Sequence, residues 1–334
     1  MKIGIVGLPN AGKSSLFNLL TKANVQVAKF PFTTIDRNVG MVSIPDERFD
    51  RMVEIIKPSK ATHAAIEFVD IAGLIKGASK GEGLGNQFLA HIRDVDLIVH
   101  LLRCFNALDI PHSEQAIDPK KDYDIVRTEL LLADLEIVER RIEKIKKKFE
   151  CKEEFDKLGM IKQAISQGQV PQELIQDLPL LSTKPEIIVL NLDEDGEFKS
   201  EMPGFRVSVK LEEDILEFEE KDKNELRQEA GLENEGLSGL IKICLQRLST
   251  IKFYTIKGEE TRAWLIRKET KVVDAAGMIH TDLKEGFIKA EVLDYDSFLK
   301  SGDFVQAQHQ GMTKIEGKEY IVRDGDIILI KFRT

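Results

Sequence analysis

At 334 residues the chain exceeds one ordinary domain, and its 42% hydrophobic and 31% charged residues are the balance of a globular protein without an apolar run of membrane-spanning length. A net charge of -9 excludes global attraction to nucleic acid, so any RNA contact has to come from local basic patches. Three widely spaced cysteines, Cys104, Cys151 and Cys244, without CxxC or Cys/His spacing, argue against a disulfide framework and a zinc site and fit a reducing cytosol.

The first segment, Met1-Lys2-Ile3-Gly4-Ile5-Val6-Gly7, breaks at once into Pro9, Asn10 and Gly12, and reads as strand then loop rather than as a secretory leader. Short β-rich runs at 2–6, 39–44, 65–69 and 97–102 each lead into a turn or a helical pattern, and 186–190 repeats the theme. Strands alternating with helices predict a parallel sheet with crossover helices. The run 97–102 is almost continuously apolar, as a strand buried on both faces would be. From about Asp124 to Ile165 the period becomes helical, with Leu131, Leu135, Val138, Ile142 and Ile145 at three- and four-residue spacing. A long helix and a second one ending near Gly168 fit this stretch; periodicity leaves open whether they protrude as an antiparallel arm or lie on the sheet. Residues 211–235 are acidic and helical in pattern. From about Ile251 to Thr334, alternating runs at 263–266, 288–292 and 327–332 between glycine turns predict a small strand-rich α+β module.

Gly7-Leu8-Pro9-Asn10-Ala11-Gly12-Lys13-Ser14 fits G-x-x-x-x-G-K-S between a predicted strand and a helical pattern carried by Leu16, Phe17, Leu19 and Leu20. Such a match arises by chance on the order of once in a hundred chains of this length. Gly7 and Gly12 let successive N–H groups turn toward one anion, and the helix N-terminus adds its dipole. Lys13 would neutralise β/γ-phosphate charge and the Ser14 hydroxyl would ligate Mg2+, with Asn10, Ala11, Gly12 and Ser15 completing the cradle.

Asp70-Ile71-Ala72-Gly73 follows the run 65–69, which puts Asp70 at the carboxyl edge of the sheet as a second metal ligand and offers the Gly73 N–H to a γ-phosphate. Between the two motifs, Thr34 in Phe30-Pro31-Phe32-Thr33-Thr34-Ile35-Asp36 can ligate Mg2+ and close over the γ-phosphate; an ordinary turn threonine is the competing reading. Leu74 stands where Ras-like enzymes carry a glutamine and cannot orient water. Hydrolysis must then be slow, or take its electrostatics from a monovalent cation, a neighbouring loop or a partner. After 186–190, Asn191-Leu192-Asp193-Glu194 departs from the guanine-reading N-K-x-D pattern at Leu192 and at Glu194, one methylene longer than aspartate. A carboxylate in the guanine-reading pose is left unpaired against adenine, at a cost of about 1–3 kcal/mol. The loop argues against strict guanine recognition without proving adenine preference.

With the glycine-rich Gly77-Ala78-Ser79-Lys80-Gly81-Glu82-Gly83-Leu84-Gly85-Asn86-Gln87-Phe88-Leu89 and the C-terminal Ala275-Ala276-Gly277-Met278-Ile279-His280-Thr281-Asp282-Leu283, these motifs resemble the YchF-type Obg-like ATPases over essentially the whole chain. The resemblance implies an α/β P-loop NTPase domain of Obg type over 1–250, with a mostly parallel sheet and flanking helices. It also implies an inserted helical arm at 124–181 and a C-terminal α+β β-grasp (TGS) domain over 251–334. Slow hydrolysis of ATP in preference to GTP, dependent on Mg2+ and K+, and association with ribosomes follow from it, in a cytoplasmic protein with no membrane and no sequence-specific DNA partner; a monomer is favoured. Carried onto this chain, Lys13, Thr34, Gly73 and His112 are the catalytic candidates, and Ser14, Thr34 and Asp70 surround Mg2+. Asn10 coordinates K+, whose charge substitutes for an arginine finger, while Asn191, Leu192, Glu194 and Ser208 flank the base. The chain departs from the family in the short stretch between Glu194 and Phe205, in its shorter arm, and in Val209 for the commoner alanine. Two rivals stay open: an Obg-type GTPase, and a nucleotide-gated binding module whose hydrolysis is incidental.

Other candidates carry bland alternatives. His112 can shuttle a proton near neutrality, or be an exposed loop histidine. Phe105 can pack on the base, or belong to the core. Arg140, Arg141, Lys144, Lys146, Lys147 and Lys148 can meet rRNA phosphates, or form a solvated helix face. His280 and Asp282 look like a hydrolytic pair but have no third partner in the sequence, and read as structural.

Overall fold

A computed structural model of the chain describes residues 1–22, 38–72, 84–107, 116–148, 152–170, 178–195, 202–233 and 235–333. The elements up to the arm are β1 (Lys2–Val6), α1 (Lys13–Lys22), β2 (Val39–Ser43), α2 (Glu47–Ile56), β3 (Lys60–Thr62), β4 (Ala65–Asp70), α3 (Leu84–Asp94), β5 (Leu97–Cys104), α4 (Pro119–Lys148) and α5 (Lys152–Ser166). There follow β6 (Glu186–Leu192), β7 (Phe205–Val207), α6 (Val209–Asp214), α7 (Glu220–Glu229), α8 (Gly236–Arg247), β8 (Thr250–Lys257) and β9 (Glu260–Arg267). The chain continues through α9 (Val272–Ile279), α10 (Thr281–Glu285), β10 (Phe287–Leu293), α11 (Tyr295–Ser301), α12 (Phe304–His309), β11 (Lys314–Glu316) and β12 (Ile327–Phe332). None of the described helices is long and apolar enough to cross a membrane.

The first sheet has the order β2-β4-β1-β5-β6-β7. β1 pairs in parallel with β4 and β5, β5 with β6, and β6 with β7, giving the mostly parallel sheet that alternating strands and helices predict. All eight residues of β5 are buried, as a central parallel strand requires. The register Ile5↔Asp70 sets the ends of β1 and β4 side by side, so the phosphate-loop motif and Asp70 share the carboxyl edge, where ligands of such sheets bind. Residues 193–195 and 202–204, the described part of the connection from β6 to β7, form no helix, in keeping with the short stretch after Glu194.

α4 settles the question that periodicity leaves open, because it does both things. Its first half packs on the sheet, with Val126, Leu130 and Ala133 against Phe88, Ile92 and Ile98. Its second half leaves the sheet and packs Val138 and Ile145 against Leu158, Ile161 and Ile165 of α5. Ion pairs from Glu139 to Lys162 and from Arg141 to Glu154, both 2.7 Å, show α5 running back along α4. Asp134 marks the branch point: buried, it accepts the N–H groups of Leu181 (2.6 Å) and Ser182 (2.9 Å), although burial pushes its carboxyl pKa up. The helix starts at Pro119, not near 124, because Asp118 caps it (accepting the Lys121 N–H at 3.0 Å) and neither cap nor proline carries an apolar period. Of the basic run on α4, Arg140 pairs with Glu136 and Arg141 with Glu154, which satisfies those two charges within the arm.

The second sheet has the order β11-β10-β12-β8-β9-β3. β8 and β9 form an antiparallel hairpin, β12 returns parallel to β8, and β10 lies antiparallel to β12 and β11. The core of this module comes from both sheet and helix, with Phe253, Ile266 and Ala290 against Val272, Ala275 and Ala276 of α9. His280 accepts the Asp282 N–H at 3.2 Å at the start of α10, and both side chains are exposed, so this pair is a helix cap.

Contacts group the described residues 1–22, 38–40 and 67–240 into one compact unit and 41–66 with 241–333 into another. The sequence reading keeps 41–66 with the first domain. In the structure β3 pairs in parallel with β9 through Lys60↔Glu260, Ala61↔Thr261 and Thr62↔Arg262. The Tyr254 hydroxyl donates to buried Asp46 at 2.8 Å, Lys252 pairs with the same carboxylate at 3.3 Å, and Phe49 stacks on Tyr254. A three-residue strand has no period to detect, and its partner lies 200 residues away. Asp46→Ala would leave a buried phenol and an ammonium short of their acceptor, and is expected to lower stability by about 2–4 kcal/mol in urea denaturation. An unchanged midpoint would show that this cluster does not hold 41–66 in place.

Candidate nucleotide site

The loops after β1, β5 and β6, with the start of α6, line an open cavity of about 800 Å³. One end is lined by Asn10, Gly12, Lys13, Ser14 and Ser15. At this end the backbone departs from ordinary helix and strand: Asn10 has φ +64° and Gly12 φ +95°. Asparagine tolerates the left-handed region, whereas at Gly12 a Cβ would also lie 2.5 Å from the Asn191 amide nitrogen. Lys13, 7% exposed, donates from Nζ to the Leu8 carbonyl at 2.8 Å. Burial lowers its pKa from the ordinary lysine value, and the charge of Asp70 opposes that shift. Ser14 Oγ donates to Asp70 Oδ2 at 2.6 Å, so the two described Mg2+ candidates already converge. A hydroxyl and a carboxylate beside a strongly buried lysine are the hard oxygen donors and the cation that a Mg2+–phosphate group needs.

The other end is lined by Phe105, Asn106 and Ala107, by Asn191 through Asp195, and by Val209, Lys210 and Glu213. Asn191, 3% exposed, donates from Nδ2 to the Ala11 carbonyl and accepts the Val209 N–H at Oδ1, both at 3.0 Å. Leu192 packs with Leu102, Cys104, Leu190 and Leu232. Asp193 Oδ2 accepts the Asn106 N–H at 3.0 Å. Glu194 is exposed at the cavity wall, where its charge, after the hydrogen bond that Lys210 donates to Asp214, helps raise the pKa of Lys210.

The structure thus brings Asn10, Gly12, Lys13, Ser14, Ser15, Phe105, Asn191, Leu192 and Glu194 to one cavity, with Ala11 and Asp70 bonded to members of that set. Ser208 is placed differently: fully buried, it caps α6 by accepting the Leu211 N–H at 3.2 Å, and its neighbours Val209 and Lys210 line the cavity instead. Thr34, Gly73 and His112, with Leu74, lie outside the described residues. Sequence reasoning missed Arg103, a 2% exposed guanidinium whose Cζ lies 4.5 Å from the Phe105 ring centroid. Its signal was present: a charge at the end of an apolar strand is a buried charge in need of partners.

Residues 2–148 match the family described as 50S ribosome-binding GTPase, and residues 250–333 match the C-terminal family of YchF GTPases, described as a protein of unknown function. The ribosome-binding ATPase YchF of Bacillus subtilis is 40% identical over 361 positions that cover 99% of each chain. Its Escherichia coli O157:H7 counterpart is 39% identical, covering 100% of this chain and 99% of its own. The chain belongs to the YchF family. The solved YchF GTPase of Schizosaccharomyces pombe agrees over 99% of this chain and 97% of its own, with a TM-score of 0.81 at 33% identity. A GTP-binding protein of Pyrococcus horikoshii shares the fold at 16% identity, with a TM-score of 0.60. Alignments of 361 positions exceed the 334 residues of this chain, so these YchF relatives carry residues that it lacks.

Removing the Asn191 amide tests how far the two ends of the cavity depend on each other. Asn191→Ala is expected to weaken nucleotide binding more than about tenfold and to cost about 1–3 kcal/mol of stability, since it strands a buried N–H and a buried carbonyl. Asn191→Asp keeps the acceptor for Val209 but sets a carboxylate against the Ala11 carbonyl, and should also lose affinity. Calorimetry with urea denaturation reads both; wild-type affinity in Asn191→Ala would show that the bridge is dispensable.

Proposed function

We propose that the chain binds a Mg2+-nucleotide in this cavity, hydrolyses ATP slowly, and acts as a nucleotide-dependent switch that associates with ribosomes. The observation that carries the reading is the cavity itself: Lys13 and the Ser14–Asp70 pair at one end, and the Asn191–Glu194 loop at the other. The B. subtilis and E. coli relatives are named ribosome-binding ATPases, which supports both the activity and the partner, and a ribosomal partner implies a cytoplasmic protein.

Relatives' names do not agree on the base, since the fission-yeast protein is described as a GTPase. The residues of this chain favour ATP. Asn191 spends its amide on the protein, Asp193 gives one carboxylate oxygen to the Asn106 N–H, Leu192 is in the core, and Glu194 is one methylene longer than the guanine-reading aspartate.

Lys13 and the N–H groups of the phosphate loop hold the β- and γ-phosphates in line for attack by water. Ser14, Asp70 and Thr34 would hold Mg2+, which supplies positive charge to the phosphate oxygens. Asn10, at the cavity wall in the left-handed conformation, is the proposed K+ ligand, and Gly73 the proposed γ-phosphate donor. His112 is a proposed proton shuttle. Leu74 gives the attacking water no hydrogen bond, so turnover is slow and gains from K+.

Titration calorimetry with Mg2+ and K+ is expected to give ATP at least about a tenfold tighter dissociation constant than GTP. GTP preferred by that margin would overturn the adenine reading. Lys13→Ala should abolish detectable turnover, and replacing K+ by Na+ should slow it. Turnover indifferent to both K+ and ribosomes would favour a binding module in which hydrolysis is incidental.

A further inference from the structure

Arg103 is the last residue but one of β5, a strand otherwise built for the interior, and it is 2% exposed. A guanidinium persists in such a place only where partners replace its lost hydration. Its Nε donates to the carbonyl oxygen of Phe105 at 3.2 Å. Its Cζ stands 4.5 Å from the centroid of the Phe105 ring, within the range of a cation–π contact. Burial lowers its pKa, and the charges of Asp122, in the first turn of α4, and of Asp193 oppose that. In the β5–β6 ladder Arg103 is the register partner of Asn191. Three residues next to it, Phe105, Asn191 and Asp193, line the cavity, and Arg103 itself does not.

We propose that Arg103 is a positioning residue for the nucleobase, fixing the Phe105 ring in the arrangement against which the base packs. This rests on the reading of the cavity as a nucleotide site. A phenylalanine held at both its ring face and its backbone carbonyl offers the base a preformed surface; released, it must be ordered by each incoming nucleotide. Loss of Arg103 therefore weakens the contribution of the base, which packs on Phe105, and leaves that of the phosphates, which bind at the opposite end on Lys13 and Ser14. A charge that only balanced Asp122 within the fold would affect both alike.

The test uses the full chain as wild type, Arg103→Met, Arg103→Lys, Phe105→Ala and the Arg103→Met/Phe105→Ala double variant, with melting temperatures for each. Dissociation constants are measured for Mg-ATP and, as a base-free probe, for inorganic triphosphate with Mg2+. Arg103→Met is expected to weaken Mg-ATP by about tenfold, raise KM without changing kcat, and leave inorganic triphosphate within about twofold of wild type. Arg103→Lys, which keeps the charge, recovers part of the ATP affinity. In the Phe105→Ala background the same arginine substitution costs less than about twofold. Should Arg103→Met fail to fold, Arg103→Lys carries the test through its KM-against-kcat split. Equal loss of ATP and inorganic triphosphate, or the full loss without the Phe105 ring, would overturn the inference, as would unchanged ATP affinity. ATP binding that survives Lys13→Ala would instead overturn the cavity reading, and the inference with it.

Discussion

Between the Ala11 carbonyl and the Val209 N–H stands a single buried side chain, the amide of Asn191, bonded to each at 3.0 Å. The phosphate loop and the first turn of α6 are separate pieces of chain, and this amide sets the distance between them. It also explains why Gly12 cannot carry a side chain: a Cβ there would press on the same amide nitrogen. Buried amides left without partners cost about 1–3 kcal/mol each, so the loops are held by the penalty of leaving Asn191 as much as by the bonds it forms. Asn191 can do this because β6 lies beside β5, and β5 beside β1, in an order that brings all three carboxyl ends to one edge.

The departure of the Asn191–Glu194 loop from a guanine-reading sequence has a packing reason. Leu192 is 2% exposed among Leu102, Cys104, Leu190 and Leu232. A lysine in that place would bury an ammonium among apolar side chains, at a cost that only a good partner could offset. The apolar surroundings act on the neighbouring thiol as well, pushing the Cys104 pKa up to about 12, so it stays protonated at neutral pH. The Asn191–Glu194 loop is thus built on hydrophobic packing beneath and on the hydrogen bonds of Asn191 and Asp193, with Glu194 exposed at the cavity wall.

What the sequence made legible was whatever spacing and residue type define locally. The phosphate loop, Asp70 at a strand end, and the Asn191–Glu194 loop could each be read from their own few residues, and the structure assembles them at one edge. Ser208 was placed beside the base by its resemblance to a family loop; in the structure its hydroxyl oxygen accepts the Leu211 N–H, a role visible only once α6 is seen to begin there. Arg103 and His100 were hidden inside a strand that reads as apolar. Their partners, Phe105 with Asp122 for the one and Glu186 (2.8 Å) for the other, are set by the sheet and by α4. The placement of 41–66 was beyond local reading for the same reason: Asp46, Phe49 and Lys60 find their partners at Tyr254 and Glu260, some two hundred residues on.

One nucleotide spanning the cavity from the phosphate loop to the Asn191–Glu194 loop would order both ends at once. Hydrogen–deuterium exchange of the full chain, with and without saturating Mg-ATP, addresses this most directly. The expected result is slowed amide exchange both at 10–15 and at 105–107 with 191–195, the two ends of the cavity. Protection confined to the phosphate loop, with the far end exchanging as in the free protein, would contradict it.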